Sequence, residues 1–447
     1  MPNDVAASSQ NPQLARIVSR VTKRLIPVLL LMYILAFLDR ANLGFAKATF
    51  QADTGISDAA FALGAGIFFL GYAVFEVPSN IIMRKVGAKI WLARIMISWG
   101  IVSALMMFAQ SEGMFYFLRV LLGITEAGFF PGVILYLTYW IPTQFRSRVN
   151  GLFYFGAPLA FIFGGPLSGL LLDLDGLGGL EGWQLMFVVT GALTVAVGIW
   201  AFTYLDNGPK DARWLNEDDR VILTTALDTE DQVRADHSPR GALRALGNPK
   251  VLYFCLIYFT IQMSVYGVIF YLPTQIAALV GTKVGLGVGL LTAVPWGFAI
   301  LATFLLTRLA DRTGKRRLVA SASLTAASLG ILASALTDNP LLGLAALSLG
   351  AAGFISVQPV FWTLPTGMLV GAAAASGIAL INSIGSLGGF VAPIAKTWAE
   401  GVFGPNAGLF LLAGIALTGA ILLANSHRVS KISDVNPLRE TTTAKAS

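Results

Sequence analysis

A small set of ionisable side chains interrupts long apolar segments of this chain. They are Asp39, Arg40, Glu76, Arg94, Arg119, Glu126 and Lys396. A charge at the middle of a membrane costs roughly 2.5–3.5 kcal/mol on insertion scales, so each one marks a candidate functional position. Arg94 and Lys396 lie near the ends of their segments, where a long side chain reaches water, and a structural interpretation is favoured for both. The remaining cations could capture an anion, and the carboxylates could carry protons.

The spacing of these residues suggests which of them meet. Arg119 and Glu126 are seven residues apart, so they share one helix face at a separation of roughly 10 Å. We expect Asp39 to pair with Arg119, and Arg40 to lie close to Glu126 and face a cavity. The alternative is a purely structural network of buried charges. Glu76 precedes a Pro-Ser-Asn sequence, and its role is left open.

The segments that carry these residues are long enough to cross a bilayer, which takes about 20 apolar residues. Hydrophobic residues make up 55% of the 447 residues and charged residues only 12%. This composition excludes a soluble enzyme and a disordered regulator, and the lone Cys255 excludes a disulfide scaffold. We predict an all-α membrane protein with twelve transmembrane helices. The predicted spans are 25–46, 61–83, 90–109, 114–139, 150–172, 185–205, 251–279, 285–309, 318–336, 340–366, 372–398 and 406–425.

The basic residues predict how the chain is oriented. Of 31 Lys and Arg residues, only Lys47 and Lys283 fall in loops on the side opposite to the termini. Basic loops stay in the cytoplasm, so both termini are expected there, in a multi-pass protein of the bacterial inner membrane. The net positive charge is therefore an orientation signal, and no nucleic-acid partner is expected. The histidines, His237 and His427, fall in polar segments, so the membrane carboxylates Asp39 and Glu126 must carry any coupled proton.

A long polar segment divides the spans six and six. The predicted units are an N-terminal tail (1–24), a first six-helix half (25–205), a cytoplasmic linker (206–250), a second half (251–425) and a C-terminal tail (426–447). The linker is expected to hold a short helix around 214–227. At an offset of 227 residues Gly87 aligns with Gly314, Gly123 with Gly350 and Pro166 with Pro393. Parallel six-helix halves around a central site are a known transporter architecture.

The second half lacks the charges of the first. At the same offset, Asp39 and Arg40 correspond to Tyr266 and Gly267. Neutral polar groups stand in the second-half spans instead, and they suit the hydroxyls of a polyhydroxylated anion. Each of them alone is more often helix-packing glue. The expected ligand contacts of this half are Gln262, Tyr266, Gln358, Trp362 and Asn382.

Several motifs resemble the major facilitator superfamily. The sequence DRTGKRR at 311–317 resembles the loop signature of that family, and RKVGAK at 84–89 is a degenerate first-half copy. Such a loop can join helix ends by charge pairs in one state and release them in another. A simple topology signal is the alternative. The expected gating residues are Lys85, Gly87, Asp311, Arg312, Gly314 and Arg316.

The chain further resembles the anion:cation symporter branch of this superfamily. The matching stretches are FLDRANLGFA at 37–46, EVPSN at 76–80, EAGFFPG at 126–132 and GGFVAP at 388–393. Two longer stretches, 258–275 and 353–365, resemble the sugar-acid permeases of the branch, L-rhamnonate permeases among them. Other members transport galactonate, tartrate or phthalate-type acids. The region around Phe155 is apolar where galactonate-type proteins carry a glutamine, which leaves the particular sugar acid open.

The resemblance implies the major facilitator fold and proton symport of an organic anion by alternating access. It assigns the substrate carboxylate to Arg40, the coupled protons to Asp39 and Glu126, and a further substrate contact to Tyr72. Arg119 is included as their partner in the substrate site. No cofactor other than the proton gradient and no metal is expected, and the protein is expected to be a monomer.

Alternatives remain open at this point. They are a transporter of tartrate or of an aromatic carboxylate such as phthalate or 4-hydroxyphenylacetate, a drug/proton antiporter of the same fold, and a membrane sensor that binds without transport. An integral membrane enzyme is disfavoured, because the spans show no nucleophile–base pair.

Overall fold

The structure, a computed structural model, describes residues 12–235, 248–368 and 372–430, and within them all regular secondary structure is helical. Eleven helical segments of these ranges are long and apolar enough to cross a membrane. The helix Ala372–Phe403, with 32 residues, is long enough to be the twelfth. Numbered in chain order, spans one to twelve are Pro12–Thr54, Asp58–Val86, Ala88–Phe108, Glu112–Thr138, Thr143–Asp173, Gly182–Tyr204, Pro249–Ile269, Leu286–Thr313, Arg316–Ala335, Pro340–Thr366, Ala372–Phe403 and Ala407–His427.

Two spans are built from two helices each, and a short separate helix follows a third. Span four breaks between Glu112–Glu126 and Phe129–Thr138, where Gly128 has a φ of 83° that favours glycine. Span five breaks between Thr143–Tyr154 and Gly156–Asp173. Span seven is followed at once by a helix over Leu272–Val280. The break in span four comes directly after Glu126, so it ends the helix at the carboxylate that the sequence marked as functional.

Serine caps begin two of the helices, and glycines end two others. The hydroxyl of Ser57 accepts a hydrogen bond from the amide of Ala60, and the hydroxyl of Ser111 accepts one from Met114, which caps two helix N-termini. On the side of the termini, Gly87 (φ 100°) and Gly314 (φ 66°) end spans two and eight with backbone that glycine tolerates. These two glycines are related by the 227-residue offset, and their like positions support a repeated architecture.

The polar N-terminal segment and the linker contain more helix than the sequence predicted. Span one is helical from Pro12, well inside the predicted tail 1–24, because Leu14, Ile17 and Val18 are buried against the rest of the protein. The linker helix predicted around 214–227 runs from Glu217 to Ala235, and Arg20 donates to Asp219 across 2.6 Å. The remaining parts of both tails and residues 236–247 of the linker lie outside the described residues.

Several contacts between the two halves lie between the middle of the bundle and the end opposite to the termini. The amide of Leu286 donates to Asp173 at 2.8 Å, and Phe161 stacks on Trp296 with ring centroids 4.0 Å apart. Spans five and eight approach so closely that a Cβ on Gly165 would meet the carbonyl oxygen of Gly289 at 2.7 Å. Small residues allow this approach of helices in a membrane. The halves are therefore joined firmly at this end.

Candidate substrate and proton site

Arg40 and Glu126 form a buried ion pair at the centre of the first half. The Nη2 group of Arg40 donates to Oε1 of Glu126, and the Glu126 side chain is fully buried. Span one supplies the cation, and the broken end of a helix in span four supplies the carboxylate. The sequence predicted that these two residues lie close together, and the structure places them in direct contact.

Arg40 also joins the two halves. Its Nη1 group donates to the hydroxyl of Tyr266, in span seven, at 3.1 Å. The guanidinium carbon lies 5.1 Å from the ring of Phe37, 5.4 Å from that of Phe68 and 5.5 Å from that of Tyr72. Aromatic faces attract a cation without neutralising it. Among the described residues, Glu126 is the one counter-charge within ion-pair distance of the guanidinium.

The predicted ion pair between Asp39 and Arg119 is wrong. Asp39 instead accepts a hydrogen bond from the hydroxyl of Ser103, in span three. The Nε and Nη2 groups of Arg119 donate to the carbonyls of Gly64 and Ala65 at 3.0 and 3.2 Å.

The physical reason lies in the packing of spans two and four. Gly64 has no side chain, so the ring of Phe115 packs directly over it and span four lies close to the backbone of span two. The guanidinium of Arg119 is then within reach of carbonyl oxygens that it can satisfy in its own half. Asp39 and Arg119 still interact electrostatically over a longer distance.

The expected second-half contacts are spread over three spans. Tyr258, Gln262 and Tyr266 lie four residues apart on span seven, so they form one stripe, and all three are buried. The ring of Tyr258 meets Trp362 of span ten edge-on at 4.8 Å. Gln358 donates weakly, at 3.5 Å, to a carbonyl of its own helix.

Glu76 and Asn382 connect the halves at a second point. The Nδ2 group of Asn382, in span eleven, donates to Oε1 of the buried Glu76, in span two, at 3.1 Å. The sequence left Glu76 open and named Asn382 as a ligand contact. The structure pairs the two residues, so the EVPSN stretch contributes a side chain to the interface between the halves.

Sequence reasoning missed three side chains of this region. Ser103 offers no signal, because one serine among apolar residues is common. Tyr33 and Tyr154, of the first half, interact electrostatically with Tyr258, of the second. The available signal was the presence of tyrosines, whose hydroxyls are polar, in the middle of apolar spans.

The predicted gating residues lie on the side of the termini. Arg316 donates to Asp311 at 3.4 Å in an exposed ion pair next to Gly314. Near Gly87, the amide of Lys89 donates to the side chain of Asn207 at 3.1 Å. Lys85 and Arg312 are exposed. The first-half loop is therefore held by the end of span six, and the second-half loop by its own charge pair.

Residues 29–393 match the profile of the Major Facilitator Superfamily. The chain belongs to that superfamily. It is 47% identical to the inner membrane transport protein RhmT of Escherichia coli K12 over 91% of this chain and 94% of that protein. It is 44% identical to a putative tartrate transporter of Agrobacterium vitis over 91% of this chain and 90% of that protein.

A solved structure shares the fold. It is a bacterial homologue of the human lysosomal transporter Spinster, 17% identical, which matches with a TM-score of 0.69 over 91% of this chain and 95% of that one. The predicted major facilitator fold with two six-helix halves is confirmed. The protein is a multi-pass membrane transporter and not an enzyme.

Proposed function

We propose that this transporter imports an organic anion, a sugar acid such as L-rhamnonate or a related aldonate, together with protons. The observation that carries the proposal is Arg40, a buried cation that bonds to Glu126 in its own half and to Tyr266 in the other. A carboxylate that enters between the halves can bind this cation. A drug/proton antiporter for cations would gain nothing from it.

The ion pair supplies a way to couple the anion to a proton. The substrate carboxylate and Glu126 compete for the same guanidinium. A proton on Glu126 removes its charge and leaves Arg40 free to bind the substrate. Asp39 is the second proton carrier. One of its oxygens accepts a hydrogen bond from the hydroxyl of Ser103. An empty carrier returns with Glu126 ionised and paired to Arg40, so that these two residues add no net charge to the step.

The neutral second half fits the recognition of hydroxyls. Gln262, Gln358 and Asn382 offer both donors and acceptors and add no charge. The putative tartrate transporter among the relatives keeps a hydroxylated dicarboxylate as the alternative substrate. Tartrate therefore belongs in the same uptake test.

Alternating access follows from the contacts between the halves. With both termini in the cytoplasm, as the basic residues favour, the joined end faces outward, and we assign this state as inward-facing. Lys47, of the first half, adds a contact at that end: its ammonium group lies 5.7 Å from the ring of Tyr271, of the second half. Opening outward must separate these contacts, and the loops around Gly87 and Gly314 then close the inner side. A single chain contains the whole cycle, so a monomer suffices.

The test is uptake into liposomes that contain the purified protein. Labelled L-rhamnonate, D-galactonate, tartrate, phthalate and a cationic drug are offered with and without an inward proton gradient. We expect gradient-driven accumulation of a sugar acid and no accumulation of the cation. Uptake of the cation alone, or of aromatic acids alone, contradicts the proposal.

Glu126→Gln separates proton coupling from transport. The variant cannot bind or release a proton at this position, so we expect gradient-driven accumulation to fall to the background. Exchange of labelled for unlabelled substrate should persist, because it requires no net proton movement. Glu112→Gln is the control, because Glu112 lies at the exposed start of the same helix. Uphill uptake by Glu126→Gln would show that the coupling group lies elsewhere.

A further inference from the structure

The carboxylate of Asp173, at the end of span five, caps a helix of the other half. Its Oδ2 atom accepts a hydrogen bond from the amide of Leu286, the first residue of span eight, at 2.8 Å. The first amides of a helix have no partner within the helix, and a carboxylate that accepts from them stabilises it. Gly285 stands at the N-cap position of span eight and has no side chain that could do this. The first half therefore supplies the cap that span eight lacks.

Glycines allow span five to place this carboxylate. Gly165, Gly169 and Asp173 are spaced four residues apart, so they form one stripe of the helix. A Cβ on Gly169 would meet the carbonyl oxygen of Gly285 at 2.3 Å, and a Cβ on Gly285 would meet Oδ1 of Asp173 at 2.2 Å. The φ of Gly285 is −164°, which is ordinary extended backbone, so glycine is required there for space and not for conformation. The cap thus depends on a side chain that is missing from the other half.

The corresponding contact between spans eleven and two is built differently. At the 227-residue offset, Glu400 takes the place of Asp173, and Lys396 takes the place of Gly169. Lys396 donates to Glu400 on its own helix. The N-terminus of span two is capped by Ser57, which belongs to the same half. Among the described residues, the carboxylate therefore reaches across the halves at spans five and eight, and its counterpart is held within its own half.

A cap that crosses the halves exists only while this end of the bundle is closed. When spans five and eight separate, the amide of Leu286 loses its acceptor, and Gly285 offers no replacement. A contact shifts an equilibrium between two states by the difference in free energy that it contributes to them. A cap within one half contributes equally to both states, whereas the cap by Asp173 contributes to one.

We infer that Asp173 is a latch, a residue that stabilises the state in which the end of the bundle opposite to the termini is closed. Opening of that end requires its release from span eight. The inference rests on alternating access and not on the identity of the anion, because the latch includes none of the proposed substrate or proton residues.

The experiment measures the separation of the two halves at this end, in the full-length transporter in liposomes and without substrate. Spin labels are attached to Leu177→Cys in the first half and Leu341→Cys in the second, both exposed, in a Cys255→Ser background. Pulsed electron spin resonance then gives the ratio of open to closed molecules from the distribution of label distances.

Two variants remove the cap in different ways. Asp173→Ala deletes the acceptor, and Gly285→Ala displaces it while keeping the charge. Each should raise the ratio of open to closed molecules about fivefold, the effect of one helix cap. The double variant should match either single variant, because both remove the same bond. Asp175→Ala is the control: Asp175 accepts from the amide of Gly182 at 2.7 Å within the first half, so its loss should leave the ratio unchanged.

An unchanged ratio in Gly285→Ala would overturn the inference, and this variant keeps the test decisive if Asp173→Ala folds poorly. An equal rise in Asp175→Ala would overturn it too, because it would assign the effect to the charge of the loop. So would a double variant that shows the product of the two single effects. Absence of carboxylate uptake by the wild type would instead refute the proposed function, and the measured ratios would still decide the latch.

Discussion

The two halves of the bundle use corresponding positions in opposite ways. At the 227-residue offset, Arg40 corresponds to Gly267 and Glu126 to Gly353. The first half has a buried ion pair at these positions, whereas the second half has glycines, which carry no side chain. A Cβ on Gly267 would meet the side chain of Leu412 at 2.5 Å, and one on Gly353 would meet the amide nitrogen of Ala327 at 2.5 Å. These positions carry charge in the first half, and in the second half they allow helices to pack tightly.

The difference shows how two halves with the same helix arrangement can differ in role: one holds buried charges and the other packs closely. Charged groups in a membrane need partners, so the first half surrounds Arg40 with Glu126 and aromatic rings. Among the described residues of the second half, only Tyr266 bonds to this cation, and the positions that correspond to the ion pair are free to pack closely. Under the proposed function, the ionisable groups that bind substrate and protons then lie in the first half, and the second half places an uncharged side chain, Tyr266, against Arg40. Variants that remove the charge or fill the packed positions test this division.

The largest effect is expected for Arg40→Gln. The variant leaves Glu126 buried without its cation, and breaking a buried ion pair costs about 3–5 kcal/mol. We expect uptake to fall at least about 100-fold and the melting temperature of the purified protein to drop. The double variant Arg40→Gln/Glu126→Gln should regain much of the lost stability but no uptake, because it leaves no unpaired charge.

Uptake and thermal unfolding in detergent measure both parts. Arg308→Gln is the control, because Arg308 is an exposed cation in the second half that packs on the ring of Phe304. If the single variant were as stable as the double variant, Glu126 would be neutral in the resting protein and the pairing would carry no cost.

A smaller effect is expected for Gly353→Ala. The added methyl group must displace the backbone of span nine near Ala327, and overpacking of this kind costs about 1–3 kcal/mol. Gly414→Ala is the matched control, because a Cβ there meets nothing within 4 Å. That control should be neutral or stabilising by up to about 1 kcal/mol, since alanine is the better helix former. Equal melting temperatures for the two variants would show that the second half is not closed by tight packing.

Much of the fold was predictable because hydropathy and length act locally. The twelve spans follow from apolar runs, and the charges that interrupt those runs pointed to Arg40 and Glu126. The helical start at Pro12 was missed because residues 12–24 look polar in sequence, while the packing that buries Ile17 and Val18 comes from elsewhere in the chain. Local composition predicts where a helix is possible, and tertiary contacts decide where it begins.

The site was predictable in its members but less so in its pairings. The depth of Arg119 along its helix axis placed it near Asp39. Depth does not tell in which direction a side chain points around that axis. The actual partners of Arg119 are backbone carbonyls next to Gly64, and no side-chain pattern announces a carbonyl as a partner. The bond between Glu76 and Asn382 joins residues 306 positions apart, in spans that do not correspond in the repeat. Only the packing of the two halves brings them together.

The smallest effect is expected in the loops, where the halves also differ. Asp311 of the second half corresponds to Arg84 of the first, so Asp311→Asn brings the two loops closer in character. Its ion pair with Arg316 spans 3.4 Å, and 70% of the Asp311 side chain is exposed. Exposed pairs contribute about 0–1 kcal/mol, so the free energy of unfolding should change by less than that.

Uptake by Asp311→Asn should nevertheless change about twofold at low ionic strength and less at high salt, because salt screens exposed charges beyond about 10 Å at 0.1 M. Asp338→Asn is the control, because Asp338 is an exposed acid at the opposite end of the second half. An uptake loss of tenfold or more in Asp311→Asn, with unchanged folding, would mean that the loops on the side of the termini hold the halves as strongly as the contacts at the joined end. The division into a charged half and a neutral half would then describe the substrate site but not the opening and closing of the transporter.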